Sequence, residues 1–140
     1  LDDIRNAQAA VPKGQTIYAR LSRANLLNFE RNPIFVVDLP NQLSPTHCLK
    51  EFPIESSAFA QYLINQNIDY VLYNYKNEGG YPRTIFGKSM SHPWDFYSST
   101  ARQSFAMSDQ LKLLMQTHRQ VFNNGAQVVI DLRAPVKALP

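Results

Sequence analysis

The chain has 140 residues, of which 44% are apolar, and carries a formal net charge of +3 at pH 7. This length fits one domain, residues 1–140, that buries most of its apolar surface. Because the 14 Lys and Arg residues are scattered and form no basic block, the composition argues against nucleic-acid binding. The single cysteine, Cys48, excludes an internal disulfide and a cysteine-rich zinc site.

The pattern of apolar residues predicts an alternation of helices and strands. Helices are predicted over Leu1–Ala10, Ser57–Gln66 and Thr100–Phe122, and strands over Thr16–Leu21, Ile34–Leu39, Asn67–Tyr75 and Gln127–Leu132. Pro33 limits the stretch between the first two strands to a single helical turn. The residues Thr100–Gln103 match a capping box at the start of the last helix. Gly125, in a left-handed conformation, is expected to end that helix.

The segment Asn67–Tyr75, NIDYVLYNY, is predicted to be the central strand. Its nearly continuous run of apolar and aromatic residues is typical of a strand covered on both faces. The whole pattern therefore predicts an α/β fold of three layers. We expect a Rossmann-like, mostly parallel sheet of about four strands, with helices on both faces.

A long loop, Lys76–Ser99, interrupts this pattern. It combines glycines and prolines with many aromatic and basic residues, and a loop of this length inside a compact domain is either functional or mobile. Since aromatic residues are uncommon in disordered segments, we expect an ordered excursion. It would present an aromatic and basic surface to a sugar, a phosphate or a protein partner. The alternative is a lid that only covers the edge of the sheet.

Five further positions carry side chains that need an interpretation. Asp38 follows the second strand, and ligands of open α/β sheets bind beyond the carboxyl ends of the strands. Its alternative role is to accept hydrogen bonds from the loop amides that follow it. Arg20 is expected to mark a strand end or a partly exposed face. His118 is expected to be a packing residue on the apolar stripe of the last helix. The neighbours His47 and Cys48 are poorly placed to act as a pair, and no further metal ligand is suitably spaced.

Catalytic motifs are absent from the sequence. It contains no glycine-rich nucleotide-binding fingerprint, no nucleophile elbow and no zinc-protease motif. Asp38 and Asp131 are the carboxylates at predicted strand ends, and a pair acting as acid and base would need neighbouring strands. The sequence therefore predicts no catalytic residue, no metal and no cofactor in this chain.

The order of the elements resembles the soluble C-terminal extracytoplasmic domain of polytopic membrane glycosyltransferases. These are enzymes of the dolichyl-phosphate-mannose-protein mannosyltransferase type and their bacterial relatives. The resemblance rests on VPKGQTIYARL, LLNF, NPIFVVDLP, NIDYVLYNY and VVIDLR, within Ile4–Tyr75 and Gln127–Arg133. The loop Lys76–Ser99 departs from the family pattern, because it is longer and more aromatic.

The resemblance implies transfer of a sugar from a polyprenyl-phosphate donor to an acceptor outside the cytoplasm. It also implies that the catalytic acids lie in membrane-embedded loops that this chain lacks. The chain begins at Leu1 and not at Met, so we expect membrane segments to precede it. On this interpretation the chain lies at the periplasmic face as part of a larger membrane protein.

The predicted role is non-catalytic recognition of a glycan acceptor or of the lipid-linked sugar. The candidate binding residues are Arg83, Lys88, His92, Trp94 and Tyr97 in the loop, with Asp38 and Arg23 at the strand ends. An aromatic face suits a sugar ring, and the arginine fork suits phosphate. The alternatives are a free-standing α/β module that binds a small molecule and a structural interaction domain.

Overall fold

The computed structural model describes residues 2–21, 23–36, 56–76 and 96–136, of which 56–57 and 96–106 are described by their backbone alone. The described residues form the helices α1 (Asp2–Ala9), α2 (Ser56–Asn65) and α3 (Phe96–Thr117), and the strands β1 (Ile17–Arg20), β2 (Ile34–Val36), β3 (Tyr70–Asn74), β4 (His118–Asn123) and β5 (Gln127–Pro135). One turn of 3-10 helix, Ala24–Leu26, lies between β1 and β2.

The five strands form one sheet in the order β2-β1-β3-β5-β4. Strand β1 pairs in parallel with β2 and with β3, whereas β5 pairs antiparallel with β3 and with β4. The prediction that NIDYVLYNY supplies the middle strand is confirmed. Residues Tyr70 to Tyr73 are all buried, as expected for a strand that is covered on both faces.

The prediction of a three-layer, Rossmann-like fold with about four mostly parallel strands is wrong. The sheet is mixed, because β4 and β5 form a hairpin that adds two antiparallel pairings. Asn123 and Asn124 build its turn: their side-chain oxygens accept hydrogen bonds from the backbone of Gly125, Ala126 and Gln127 at 2.8–3.0 Å. Antiparallel strands need only such a short turn, whereas parallel strands need a long crossover.

The predicted last helix also differs from the structure. Helix α3 begins at Phe96, inside the predicted loop Lys76–Ser99, and ends at Thr117. The expected final helical turn, up to Phe122, belongs instead to β4. The capping-box residues Thr100–Gln103 therefore lie inside a helix and not at its start. Gly125 does have a positive φ, +90°, but it serves the hairpin turn.

Two clusters of apolar side chains cover the two faces of the sheet. Because side chains alternate along a strand, Val71 and Tyr73 of β3 pack on one face and Tyr70 and Leu72 on the other. The first face is covered by α2 and α3 through Phe59, Leu63, Met107, Leu111 and Leu114. The second is covered by α1, by the 3-10 turn and by the residues that directly follow each of them, through Ile4, Ala7, Val11, Ala24 and Leu27. The middle strand is thus shielded from water on both sides.

Candidate functional site

The three parallel strands end at one edge of the sheet, which we call the carboxyl edge. Strand β1 ends there at Arg20, β2 at Val36 and β3 at Asn74. The hairpin turn lies at the same edge, because Asn74 pairs with Gln127 and the Tyr75 amide donates to the Ala126 carbonyl at 3.0 Å. This is the edge where open α/β sheets bind ligands.

Most of the predicted binding residues follow β2 and β3 in sequence. Asp38 follows Val36 by two residues, and the loop candidates follow Lys76. The predicted site residues Asp38, Arg83, Lys88, His92 and Trp94, and the pair His47–Cys48, lie outside the described residues. Tyr97 lies in the first turn of α3, and only its backbone is described.

Arg23 is the predicted site residue whose side chain is described. It is exposed and directly precedes the 3-10 turn, where its carbonyl accepts a hydrogen bond from the Leu26 amide at 3.0 Å. Since β1 ends at Arg20, Arg23 follows the carboxyl end of that strand by three residues. Arg23 thus follows the carboxyl edge, where β2 and β3, the strands that precede the other candidate residues, also end.

Arg20 is the functional candidate that sequence reasoning undervalued. It does end β1, as predicted, but the expected partly exposed face is wrong, because only 2% of Arg20 is exposed. Its Nη1 atom donates to the Met107 sulfur at 2.7 Å, and the Tyr18 hydroxyl lies 3.7 Å from the same sulfur. In the pairing of β1 with β3, Arg20 is in register with Tyr73. Because side chains alternate along a strand, the segment IYAR places Tyr18 and Arg20 on the same face of the sheet. This alternation was the sequence feature that could have indicated that Arg20 lies beneath α3.

Arg20 is a buried cation at the carboxyl end of β1. Removing a charge from water is costly unless other groups stabilise it. Its burial therefore indicates that neighbouring groups stabilise the guanidinium in addition to the weakly accepting Met107 sulfur. Ser108, which follows Met107 in α3, has a buried hydroxyl without a hydrogen-bond partner in the described part of the chain.

The possible acid–base pair of Asp38 and Asp131 is not assembled at this edge. Asp131 pairs in register with Tyr70, the first residue of β3, because β5 is antiparallel to β3. It therefore lies at the edge opposite the carboxyl end of β2. There Asp131 and Asp69 flank Arg133 at 3.7 and 3.8 Å, and Arg133 also lies over the Tyr70 ring. This arrangement is an ion-pair cluster that holds the ends of β3 and β5 together.

His118 lies near the same opposite edge and is 3% exposed. Its Nδ1 atom is 3.0 Å from Thr117 Oγ1, which itself donates to the Leu113 carbonyl. Burial lowers the pKa of His118, and the charge of Asp131 opposes this effect in part. His118 is thus the buried packing residue that was predicted, although on a strand.

Three comparisons complete the description of the chain. Neither a family model, nor a curated protein, nor a solved structure matches it. Within residues 2–21, 23–36, 56–76 and 96–136, no group of three His, Cys, Asp or Glu side chains is arranged to hold a metal ion. In the same residues, no helix combines the length and the apolar character needed to cross a membrane.

Proposed function

We propose that the chain is a non-catalytic binding domain of the extracytoplasmic kind that the resemblance implies. In this proposal it belongs to a larger, membrane-bound glycosyltransferase-like protein and recognises a lipid-linked sugar or a glycan acceptor at the carboxyl edge. The supporting observation is that β1, β2 and β3 are parallel and end together. Arg23, Asp38 and the aromatic loop follow these three ends.

The chemistry of these side chains fits a ligand with a sugar and a phosphate. Aromatic rings such as Trp94 and Tyr97 offer apolar faces to a sugar ring. Arginine forks bind phosphate oxygens through two parallel hydrogen bonds, and Arg23 and Arg83 both follow the ends of parallel strands.

Trp94 provides a direct readout, because it is the single tryptophan of the chain. The experiment is a fluorescence titration of the chain with a short-chain, water-soluble isoprenyl phosphomannose. We expect a saturable change in Trp94 emission, and a Kd at least tenfold higher for Arg83→Ala. Arg119→Ala is the matched control, because Arg119 is exposed and lies at the opposite edge, where it is in register with Asp131 in the pairing of β4 with β5.

Parallel titrations with mannose and with isoprenyl phosphate separate the competing functions. Binding that requires both halves of the ligand supports recognition of a lipid-linked sugar. Equal binding of free mannose supports the free-standing small-molecule module instead. Unchanged emission together with no binding by calorimetry contradicts the proposal and favours a structural interaction domain.

A further inference from the structure

A second groove lies away from the carboxyl edge, between α1 and the segment 25–31. Its volume is about 600 Å³, and its walls include Arg5 and Gln8 of α1 together with Asn25, Asn28 and Arg31. We call it the Arg5–Arg31 groove. It lies toward the amino ends of β1 and β2, because the Gly14 amide donates to the Arg31 carbonyl and the Ile17 amide to that of Pro33.

Buried side chains hold one wall of this groove in place. Gln8 is 2% exposed; its side chain accepts from the Asn28 amide and donates to the Asn28 carbonyl, both at 2.8 Å. Arg31 Nη1 donates to the Gln8 carbonyl at 3.0 Å and to Asn32 Oδ1 at 2.7 Å. One end of the Arg31 guanidinium is therefore anchored, so little side-chain entropy remains to be lost when its other donors bind a ligand.

The groups that remain open in the groove are mostly hydrogen-bond donors. In the described part of the chain, the Arg5 guanidinium and the Nε and Nη2 atoms of Arg31 have no hydrogen-bond or carboxylate partner. The Asn28 oxygen accepts from the backbone amides of residues 30 and 31, which leaves its NH₂ group available. Among the described residues, no carboxylate lines the groove; Glu30 lines an adjoining depression together with Lys13.

We propose that the Arg5–Arg31 groove binds the phosphoryl group of an organic phosphate. Two guanidinium groups and an amide match the oxygen atoms of a phosphate, and arginine forks bind it in a bidentate manner. The volume exceeds what a bare ion needs, and Ala9, Leu26 and Leu27 supply apolar wall for the organic part. The proposal does not rest on the carboxyl-edge function, because its hydrogen-bond donors are Arg5, Asn28 and Arg31, none of which belongs to that edge.

The test uses glycerol 3-phosphate as the probe and the side-chain Nε–H resonances of arginine as the readout. We expect saturable shifts of the Arg5 and Arg31 signals with glycerol 3-phosphate, and no comparable shift with sodium chloride at equal ionic strength. Arg5→Ala is expected to raise the Kd at least tenfold. Arg5 is exposed and makes no hydrogen bond in the described part of the chain, so this variant should fold normally. Arg119→Ala should leave the Kd within twofold.

A second arm distinguishes the possible sources of the phosphate. Vesicles of phosphatidylcholine with 20% phosphatidic acid present the same phosphoryl group on a lipid, so cosedimentation that Arg5→Ala abolishes identifies a lipid headgroup. Binding of the soluble ester without vesicle binding identifies a free phosphate ester. Equal shifts with chloride, or equal affinity of the wild-type chain and Arg5→Ala in both arms, would overturn the proposal.

Discussion

Gln8 and Asn32 lie 24 residues apart in sequence and form a buried hydrogen bond, in which Gln8 Nε2 donates to Asn32 Oδ1 at 3.1 Å. Only 2% of Gln8 and 1% of Asn32 are exposed. Asn32 Nδ2 in turn donates to the carbonyls of Pro12 and Gln15, each at 2.9 Å. The pair therefore fastens α1 to the chain segments that enter β1 and β2.

Replacing Asn32 by alanine should destabilise the fold strongly. The Asn32→Ala variant leaves the Pro12 and Gln15 carbonyls without their donor, and each unsatisfied buried group costs roughly 1–3 kcal/mol. We expect a loss of about 3 kcal/mol in the free energy of unfolding, measured by urea denaturation. Asn25→Ala is the matched control in the same segment, because Asn25 is exposed. A loss below 1 kcal/mol for Asn32→Ala would contradict this account.

His118 should make stability depend on pH. Burial lowers its pKa in the folded state, whereas the unfolded value stays near 6.5. The unfolded state therefore binds more protons, so the contribution of neutral His118 is complete above about pH 6.5 and is lost as the pH falls through the folded pKa. We expect the stability advantage of the wild-type chain over His118→Gln to shrink between pH 7.5 and pH 5. A difference that stays constant with pH would contradict the assignment.

Gly125 should resist substitution because of its backbone conformation. Its φ is +90°, and among the described residues no heavy atom beyond Gly125 and its two neighbours lies within 4 Å of the position that a Cβ would take. The penalty for Gly125→Ala is thus conformational and not steric, at roughly 1–2 kcal/mol. Gly125→Asn should cost less, because asparagine tolerates this region better. Thermal unfolding of the two variants measures the difference, and equal losses would argue against the conformational explanation.

Truncating a core side chain on either face of the sheet should be costly. Leu72 packs toward α1 and Leu111 of α3 packs on the opposite face, and both are fully buried. Each change to alanine should cost about 2–5 kcal/mol in urea denaturation. Val136→Ala, at a residue that is 60% exposed, should change stability by less than about 0.5 kcal/mol. A small effect of Leu72→Ala alone would mean that α1 does not cover the sheet.

The sequence predicted the central strand because local and tertiary requirements agree there. Tyr70 to Tyr73 combine β propensity with burial on both faces, so the apolar run had one interpretation. The stretch His118–Phe122 was more ambiguous. Its apolar residues continue the helical spacing of Leu111 and Leu114, so the same pattern fitted a longer helix. The deciding feature was the Asn-Gly pair of residues 124 and 125 between two β-rich runs, a typical hairpin sequence.

The candidate sites were less predictable than the strands. That Arg20 is buried depends on α3 covering the same face of the sheet, which the spacing within β1 does not reveal. The Arg5–Arg31 groove was missed because Arg5, Gln8 and Arg31 are far apart in sequence and belong to no motif. It forms only when the segment 25–31 docks on α1 through Gln8 and Asn32.

The most direct test of the proposed function is a backbone NMR titration of the chain with the short-chain isoprenyl phosphomannose. We expect the amide shifts to concentrate at the carboxyl edge, at Leu21, Arg23, Tyr75 and Gly125, while Asp69 and Arg133 at the opposite edge stay unchanged. Shifts confined to the opposite edge or to the Arg5–Arg31 groove, or no shifts at saturating ligand, would contradict it.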